Sequence, residues 1–296
     1  MLRGVLLVDK PQGPTSHAIV AMARKALGLK KVGHAGTLDP MATGLLVLGV
    51  GSGTKLLTYF VGLDKTYRAT IRLGQATHTD DAEGEPVGQP ALPEQLDSLD
   101  SSRIEQAVQR YRGVIDQIPS SVSAVRIDGK RAYDRVRAGE DVDIPSRRVT
   151  IHRIDVIEIR RAGPWWDIDV EIDCSSGTYI RAIARDVGND LGVGGHLTAL
   201  RRTRVGPFDV DDAIDPEDIT AESLIALGQA AAAVMPLVAL STAQATELSH
   251  GKHIFVEAPE GSKPDTAVAC VGPDRDLVAI CSISQSVSNI LVGFPR

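Results

Sequence analysis

A loop bounded by glycines, residues 33–44, separates two stretches of chain that are both expected to be regular and apolar. Within this loop Asp39 is followed directly by Pro40, and Gly36 and Gly44 stand on either side of the pair. Glycines let the backbone approach a ligand closely, and proline fixes the chain just after the carboxylate. Asp-Pro is also a common turn former. These residues alone therefore leave Asp39 open as a catalytic carboxylate or a turn residue.

The segments around this loop predict a rigid scaffold. The expected elements are strands at residues 2–8, 45–50 and 65–73 and a helix from Thr15 or Ser16 to Gly28. Binding and catalytic groups commonly lie on loops that such a scaffold holds in place. The sequence therefore predicts that Asp39 is held by regular structure on both sides.

The middle of the chain mixes predicted helices and strands without a regular alternation. Helices are expected at residues 102–112, 130–138, 179–191 and 196–202, and strands at 149–160 and 165–174, which form a long hairpin. Residues 75–100 are acidic and poor in large apolar side chains, so we expect an exposed connection with little regular structure. The pattern favours an α+β fold with a mixed, largely antiparallel sheet and flanking helices.

An alanine-rich run that ends at Pro236 marks a boundary between two domains. Beyond it, β-like runs at residues 266–271, 277–283 and 290–292 predict a small β-rich domain. The sequence thus predicts a larger domain, residues 1–235, and a smaller one, residues 236–296.

The sequence predicts a cytoplasmic protein. The longest apolar runs, residues 45–50 and 230–235, are far shorter than the roughly 20 residues of a membrane-spanning helix. The first residues lack the apolar core of a signal peptide. Three cysteines without a CxxC pair argue against a disulfide framework and against a zinc site.

The formal net charge of −6 is unusual for a protein that binds nucleic acid, since phosphate contacts require a basic surface. The acidic excess lies in residues 75–110 and 207–296, whereas residues 1–74 are predominantly basic. Exposed charges more than about 10 Å apart are largely screened at cellular salt. A local basic surface is therefore compatible with the overall charge.

Four motifs resemble those of one enzyme family. Residues 33–46 are similar to the signature loop of the TruB pseudouridine synthases, with its His, Gly, Leu-Asp-Pro and Thr-Gly-Leu elements in order. The family's other motifs resemble residues 4–16, the Lys-x-Tyr segment 65–67, and residues 174–181 with their continuation to residue 203. The resemblance implies a pseudouridine synthase fold and an isomerase that converts uridine 55 in the TΨC arm of tRNA to pseudouridine. It also implies that no cofactor or metal is needed, and that a monomer binds the TΨC stem-loop without an obligate protein partner.

The resemblance assigns three catalytic residues. Asp39 is the essential carboxylate, and Tyr67 stacks on the target base and is a proton-transfer group. Arg181 is expected to pair with Asp39, because a neighbouring guanidinium orients a carboxylate and keeps it ionised. The implied substrate-binding residues are His34, Gly36, Tyr179, Leu200, Lys130 and Arg131.

These binding residues have different expected tasks. His34 fills the space that the flipped uridine leaves, and Tyr179 and Leu200 form walls around the base. Lys130 and Arg131 belong to an RNA-gripping thumb insertion, residues 113–149. Residues 236–296 resemble a PUA domain, a small RNA-binding β-barrel.

Other functions fit the spacing less well. Residues 49–55 do not match the phosphate loop GxxxxGK[ST], and the glycines there do not have dinucleotide-binding spacing. Cys174 lies too far from Arg181 for a cysteine phosphatase. The main alternative is a catalytically idle tRNA-binding or tRNA-folding protein of the same fold. The presence of Asp39, Tyr67 and Arg181 together favours an enzyme.

Overall fold

The computed structural model describes residues 2–120, 144–263 and 266–295, together with the backbone of residues 126–127 and 130–131. The strands are β1 (Gly4–Lys10), β2 (Val32–Ala35), β3 (Thr43–Val50), β4 (Lys65–Leu73), β5 (Ala76–Thr77), β6 (Pro86–Val87), β7 (Gly113–Gln117), β8 (Arg126–Ile127), β9 (Lys130–Arg131), β10 (Arg147–Ala162), β11 (Trp165–Cys174), β12 (Gly195–Val205), β13 (Phe208–Asp209), β14 (Leu237–Ala239), β15 (Val268–Val271), β16 (Leu277–Ser284) and β17 (Val287–Gly293). The α-helices are α1 (Ser16–Leu27), α2 (Leu57–Val61), α3 (Pro93–Asp97), α4 (Ser101–Gln109), α5 (Ile180–Asp190), α6 (Leu227–Ala232) and α7 (Thr242–Ser249). Short 3₁₀ helices lie at Gly51–Leu56, Val210–Asp212 and Pro216–Asp218.

A nine-stranded sheet organises the larger part of the chain. Its main order is β1-β3-β12-β4-β11-β10-β7, with β2 paired to β3 and β13 paired to β12. All pairs in this sheet are antiparallel except β12 with β3, which run parallel where Arg201 lies beside Thr43 and Arg202 beside Gly44. The predicted hairpin is β10 and β11. The expectation of an α+β fold with a mixed, largely antiparallel sheet is confirmed.

Helix α1 fixes the chain that leads into the glycine-bounded loop. Thr15 caps it by accepting a hydrogen bond from the Ala18 amide at 3.1 Å, and Gly28 ends it in the left-handed conformation with φ 63°. The buried side of α1 packs on the apolar faces of β1 and β3 through a cluster that includes Ile19, Ala23 and Leu46. The predicted bounds of this helix are confirmed.

Helix α5 packs tightly against β12. Ile183, Ala184 and Val187 on this helix belong to the largest apolar cluster, together with Ile71 and Leu197 of the sheet. The approach is close because Gly188 has no side chain: a Cβ there would lie 2.2 Å from the amide nitrogen of Gly195. The first turn of α5 is thereby held at a fixed position over the sheet.

The C-terminal residues form a separate four-stranded sheet with the order β14-β15-β16-β17. The predicted β-rich character is confirmed, but a β-barrel-like PUA fold is not. Leu277, Ile280 and Phe294 share one apolar cluster with Val5 and Leu45 of the large sheet. Arg3 pairs with Asp276, and Lys55 Nζ donates to the Gly293 carbonyl at 2.6 Å. The boundary at residues 235 and 236 stays a prediction, and a continuous core crosses it.

Two expectations about local structure outside residues 113–149 are wrong. Residues 196–202 form part of the central strand β12, not a helix. The alternation of apolar and polar residues that is typical of a strand is interrupted here. One inward position is a charged residue, Arg202, and a bulge lies between Leu197 and Ala199. Residues 75–100 contain the short strands β5 and β6 and helix α3, and within them Asp80 and Asp81 are buried.

Much of the segment predicted to form a thumb, residues 113–149, lies outside the described residues. Its flanks form β7 and β10, and the backbone of Arg126–Ile127 pairs with that of Lys130–Arg131. Lys130 and Arg131 form strand β9 where a helix was predicted over residues 130–138. Residues 132–138 lie outside the described part. No helix in the described ranges is long and apolar enough to cross a membrane.

Candidate active site

A cavity of about 260 Å³ opens where the glycine-bounded loop meets the turn before α5 and the centre of the sheet. Its walls are formed by Gly36, Thr37, Leu38, Asp39, Val61, Lys65, Tyr67, Ser175, Ser176, Gly177, Thr178, Tyr179, Ile180, Arg181, Leu200 and Arg202. Four separate segments of the chain meet here. The strands supply rigid walls, and the two turns supply most of the polar groups.

The loop that carries Asp39 is anchored from below. Leu38 and Met41 insert into the main apolar cluster. The Ser16 hydroxyl donates to the Leu38 carbonyl at 3.0 Å and accepts from the Leu38 amide at 2.9 Å. The backbone on both sides of Asp39 is therefore fixed before any ligand binds.

Lys10 completes this anchoring. Its side chain is fully buried, and its ammonium group donates to the carbonyls of Pro11, Pro14 and Pro40 at 2.9, 2.8 and 3.2 Å. Burial lowers the pKa of Lys10 to about 8, although the negative charge of Asp39 opposes that change. These contacts assign Lys10 a structural role in holding the loop.

Arg181 holds the Asp39 carboxylate. Its Nε lies 3.0 Å from Asp39 Oδ2, and only 3% of the arginine is exposed. On the other side its Nη1 lies 3.2 Å from Asp81 Oδ2 and donates to the Thr79 carbonyl at 2.6 Å. Asp81 is held in turn by the Thr79 hydroxyl at 2.5 Å. The expected pair of Asp39 and Arg181 is thus one end of a three-residue chain of charges.

The pKa of the Asp39 carboxyl is raised above its ordinary value, chiefly because burial disfavours its charged form. Asp81 raises this pKa further, whereas Arg181 and Lys10 lower it. The sequence predicted a lowered pKa from Arg181 alone. Arg181 does lower this pKa, but burial has the larger effect and Asp81 adds to it, so the net change is upward.

Tyr67 forms the centre of the cavity wall. It lies in β4 between β11 and β12, and 9% of it is exposed. Burial raises the pKa of its hydroxyl, and the neighbouring Arg202 opposes that change by its charge and by a hydrogen bond. Leu200, which is 8% exposed, adds the expected apolar wall.

Tyr179 is fixed by one side chain from the end of β7. Its backbone amide donates to Gln117 Oε1 at 2.8 Å, and its carbonyl accepts from Gln117 Nε2 at 3.0 Å. The guanidinium carbon of Arg147 lies 5.7 Å from the centre of its ring. Both Gln117 and Arg147 belong to the flanks of the predicted thumb. These flanks are therefore joined directly to the turn that precedes α5.

His34 lies in β2, outside the cavity lining. Its ring meets that of His17 edge to face, with 5.3 Å between the ring centres. Burial lowers the pKa of His34, and the charges of His17 and Arg202 lower it further. The neutral form of His34 is thereby favoured.

Family models match most of the larger part of the chain. The model described as the N-terminal domain of TruB family pseudouridylate synthases matches residues 24–180. The model of the tRNA pseudouridylate synthase B C-terminal domain matches residues 181–239. The chain belongs to the TruB family.

Curated relatives support this membership over nearly full length. The tRNA pseudouridine synthase B of Arthrobacter sp. (strain FB24) is 53% identical over 95% of this chain and 92% of the relative. The tRNA pseudouridine synthase B of Corynebacterium diphtheriae is 55% identical over 88% of this chain and 86% of the relative.

Solved structures share the fold. A chain from an H/ACA RNP bound to a substrate RNA containing 2'-deoxyuridine has a TM-score of 0.71 and 25% identity, and the match covers 99% of this chain and 84% of that chain. A chain from an archaeal box H/ACA sRNP complex has a TM-score of 0.73 at 23% identity, over 100% of this chain and 87% of that chain. The predicted pseudouridine synthase fold is confirmed.

The structure places most of the TruB-motif residues together. Of those singled out by the sequence, Gly36, Asp39, Tyr67, Tyr179, Arg181 and Leu200 line one cavity, whereas His34 lies outside its lining. The side chains of Lys130 and Arg131 lie outside the described residues. Sequence reasoning missed Asp81, Arg202 and Gln117. The one available signal for Asp81 was a pair of adjacent aspartates in a segment otherwise expected to be exposed.

The described residues contain no group of three or more His, Cys, Asp or Glu side chains that could hold a metal ion. Cys174 is fully buried behind the cavity, and burial raises the pKa of its thiol to about 12. This thiol remains protonated at neutral pH and is suited to packing rather than to nucleophilic attack.

Proposed function

We propose that the protein isomerises uridine 55 in the TΨC arm of tRNA to pseudouridine. The observation that carries the proposal is the position of Asp39 at the cavity, with its carboxylate 3.0 Å from the Arg181 guanidinium. Membership of the TruB family and the names of the curated relatives support tRNA as the substrate. Residues 1–235 act as the catalytic domain, residues 113–149 as its thumb and residues 236–296 as a further RNA-binding unit.

The reaction breaks the bond between ribose C1′ and N1 of uracil and forms a bond between C1′ and C5. One proton leaves C5 and one is gained at N1, so the reaction has no net redox change and transfers no group to a second molecule. No cofactor is needed for that balance. The protein must extrude the base, exclude water and supply groups that exchange protons or form a transient bond.

The cavity can receive a single base only if the uridine leaves its stack in the RNA. Flipping costs a few kcal/mol, and contacts inside an enclosed pocket can offset that cost. Tyr67, Tyr179 and Leu200 supply flat or apolar surfaces for the uracil ring. His34 fills the space left in the RNA. Its neutral form, which burial favours, is suited to a stacked position in place of a base.

Asp39 is the reacting carboxylate in this proposal. Three roles are compatible with its position: attack on the ribose, addition to the base, or removal of a ribose proton. In each role the ionised form is the reactive one, and Arg181 supports that form against the effect of burial. The Asp39–Arg181 pair would be unnecessary for an idle tRNA-binding protein.

A defined tRNA transcript provides the test. Pseudouridine is mapped nucleotide by nucleotide after incubation with the purified protein, and a transcript with cytidine at position 55 serves as the substrate control. We expect one new pseudouridine at position 55 and none in the control. Asp39→Asn should abolish turnover while tRNA affinity stays within a few-fold, because only the chemical step loses a reacting group.

Asp97→Asn is the matched control variant. Asp97 is an exposed carboxylate, with 69% of its side chain accessible, and it pairs with Arg161 at the surface. This variant should retain wild-type turnover. Turnover retained by Asp39→Asn, or pseudouridine formed only at other positions, would show the assignment to be wrong. Binding without turnover by the wild-type protein would favour the idle tRNA-binding alternative.

A further inference from the structure

Among the side chains that the structure describes, Arg202 is the largest that is fully buried, with 1% of its surface exposed. Its neighbours in β12 form ion pairs, Arg201 with Asp9 and Arg204 with Asp173, whereas no carboxylate in the described ranges pairs with Arg202. Buried charges are normally paired, because removal from water is costly. An unpaired guanidinium at the edge of the cavity therefore requires another explanation.

Two backbone carbonyls hold this guanidinium in place. Arg202 Nε donates to the Leu45 carbonyl at 2.8 Å, and its Nη2 donates to the Gly36 carbonyl at 3.1 Å. A Cβ at Gly36 would lie 3.4 Å from Arg202 Nη1, so the loop backbone passes directly over the guanidinium. Donors on the guanidinium remain for a group inside the cavity.

Tyr67 is that group. Arg202 and Tyr67 are directly opposite in the antiparallel ladder of β12 and β4, which places their side chains on one face about 5 Å apart at Cβ. Both line the cavity, and the nearby guanidinium lowers the pKa of the Tyr67 hydroxyl.

The other titratable groups around Tyr67 act in the opposite direction. Cys174 on β11 and Asp39 on the loop both raise the pKa of Tyr67, in the same sense as burial. The charge of Arg202 also lowers the pKa of Lys65 and of His34. Lys65 donates to the Val61 carbonyl at 2.7 Å, and burial lowers its pKa to about 8. Among these groups, Arg202 is the cation that lowers the pKa of Tyr67.

We propose that Arg202 is a positioning residue for proton transfer by Tyr67: its guanidinium holds the hydroxyl oxygen and stabilises the phenolate that remains when the proton leaves. The inference rests on the proposed isomerisation. Once C1′ has bonded to C5, the Tyr67 phenol donates its proton to N1, and the phenolate that remains accepts the proton that leaves C5. The phenol is thereby regenerated, and the count of protons balances without a second reactant. Groups that transfer protons in this way typically contribute about 10²- to 10⁴-fold to a rate.

The first test observes Tyr67 without RNA. Protein labelled with ¹³C in its tyrosine rings is titrated by NMR, and the Tyr67 signals are assigned by their loss in Tyr67→Phe. In Arg202→Met we expect the Tyr67 titration to move to higher pH by about 1 to 3 units, the usual effect of losing a neighbouring opposite charge. Arg202→Lys should lie between wild type and Arg202→Met. Arg201→Met is the matched control, since Arg201 pairs with Asp9 outside the cavity, and it should titrate like wild type.

The second test is a double-variant cycle on the single-turnover rate. Arg202→Met should slow the wild-type protein by about 100-fold, but it should slow Tyr67→Phe by less than threefold, because residues that act through one another are not additive. If Arg202→Met does not fold, as judged by circular dichroism, Arg202→Lys replaces it in the cycle.

Two results would overturn the inference. An unchanged Tyr67 titration in folded Arg202→Met shows that the guanidinium does not act on the phenol. An equal loss of rate in both backgrounds shows that Arg202 only braces the backbone at Gly36 and Leu45. Absence of turnover by the wild-type protein would instead contradict the proposed function, and the NMR titration would still report on the contact between Arg202 and Tyr67.

Discussion

Asp81 lies 3.2 Å behind Arg181, on the side away from Asp39, so the arginine that faces the cavity is bound between two carboxylates. Asp81 is 3% exposed, and removing one partner of a buried ion pair strongly destabilises a folded protein. Asp81 therefore fixes the direction in which Arg181 points. Asp81 can fix Arg181 without touching the substrate.

Variants of Asp81 and Arg181 should move the pH dependence of the reaction in opposite directions. Arg181→Met removes a charge that lowers the pKa of Asp39, so the acid limb of the rate profile should move to higher pH. Asp81→Asn removes a charge that raises it, so the acid limb should move to lower pH. We expect single-turnover rates to fall by roughly 100-fold or more for Arg181→Met and by less for Asp81→Asn. Equal profiles for the two variants would contradict the three-residue chain.

Asp39→Asn should not weaken the fold at neutral pH. The pKa of Asp39 is raised above 3.8 in the folded protein, so the folded state binds this proton more tightly than the unfolded chain. The stability contributed by Asp39 is therefore lost as pH rises through its folded pKa. Asparagine does not ionise, and we expect its Tm at pH 7 to equal or exceed that of wild type, with the difference shrinking toward pH 4. Differential scanning calorimetry checks this, and a variant several degrees less stable at pH 7 would contradict it.

Gly188→Ala should destabilise the protein through one steric contact. The added Cβ would lie 2.2 Å from the Gly195 amide nitrogen and 2.3 Å from the Gly194 carbonyl carbon, and backbone cannot move aside as a flexible side chain can. Forced overpacking typically costs about 1 to 3 kcal/mol in the free energy of unfolding. Gly62→Ala is the control, since nothing lies within 4 Å of a Cβ there and its φ is −76°. Urea denaturation of both variants should show a lower midpoint for Gly188→Ala alone.

Truncation after residue 235 should prevent stable folding of the remainder. Leu277, Ile280 and Phe294 share an apolar cluster with Val5 and Leu45, so their removal exposes the back of the large sheet to water. We expect a 1–235 fragment to aggregate or to lack a cooperative thermal transition. A soluble fragment with a Tm near that of the full chain would show that the C-terminal sheet is an independent domain.

The site was predictable to the extent that its residues lie in contiguous motifs. Asp39, Tyr67 and Arg181 were found because each stands in a recognisable segment, and the strands around Asp39 followed from their apolar pattern. Arg202 lay within the last motif segment, but it was not singled out because a buried arginine has the same letter as an exposed one. Because Arg202 occupies an inward position, residues 196–202 of β12 were predicted as a helix. Asp81 becomes significant only when the turn from Thr79 to Asp81 is brought against α5, which no local pattern encodes.

The pairing of Gly44 with Arg202 sets a limit on how this site can change. A Cβ at Gly44 would lie 2.2 Å from the Arg202 carbonyl oxygen, and the glycine has φ 99°, so both space and backbone angle demand glycine. The loop from β2 to β3 is thus clamped at both ends by the same sheet. The loop is too short to absorb an inserted or deleted residue, so such a change would displace Asp39 from Arg181. Among proteins of this fold, insertions and deletions are therefore expected in the segments outside the sheet. The span from Ala35 to Thr43 is expected to keep a constant length.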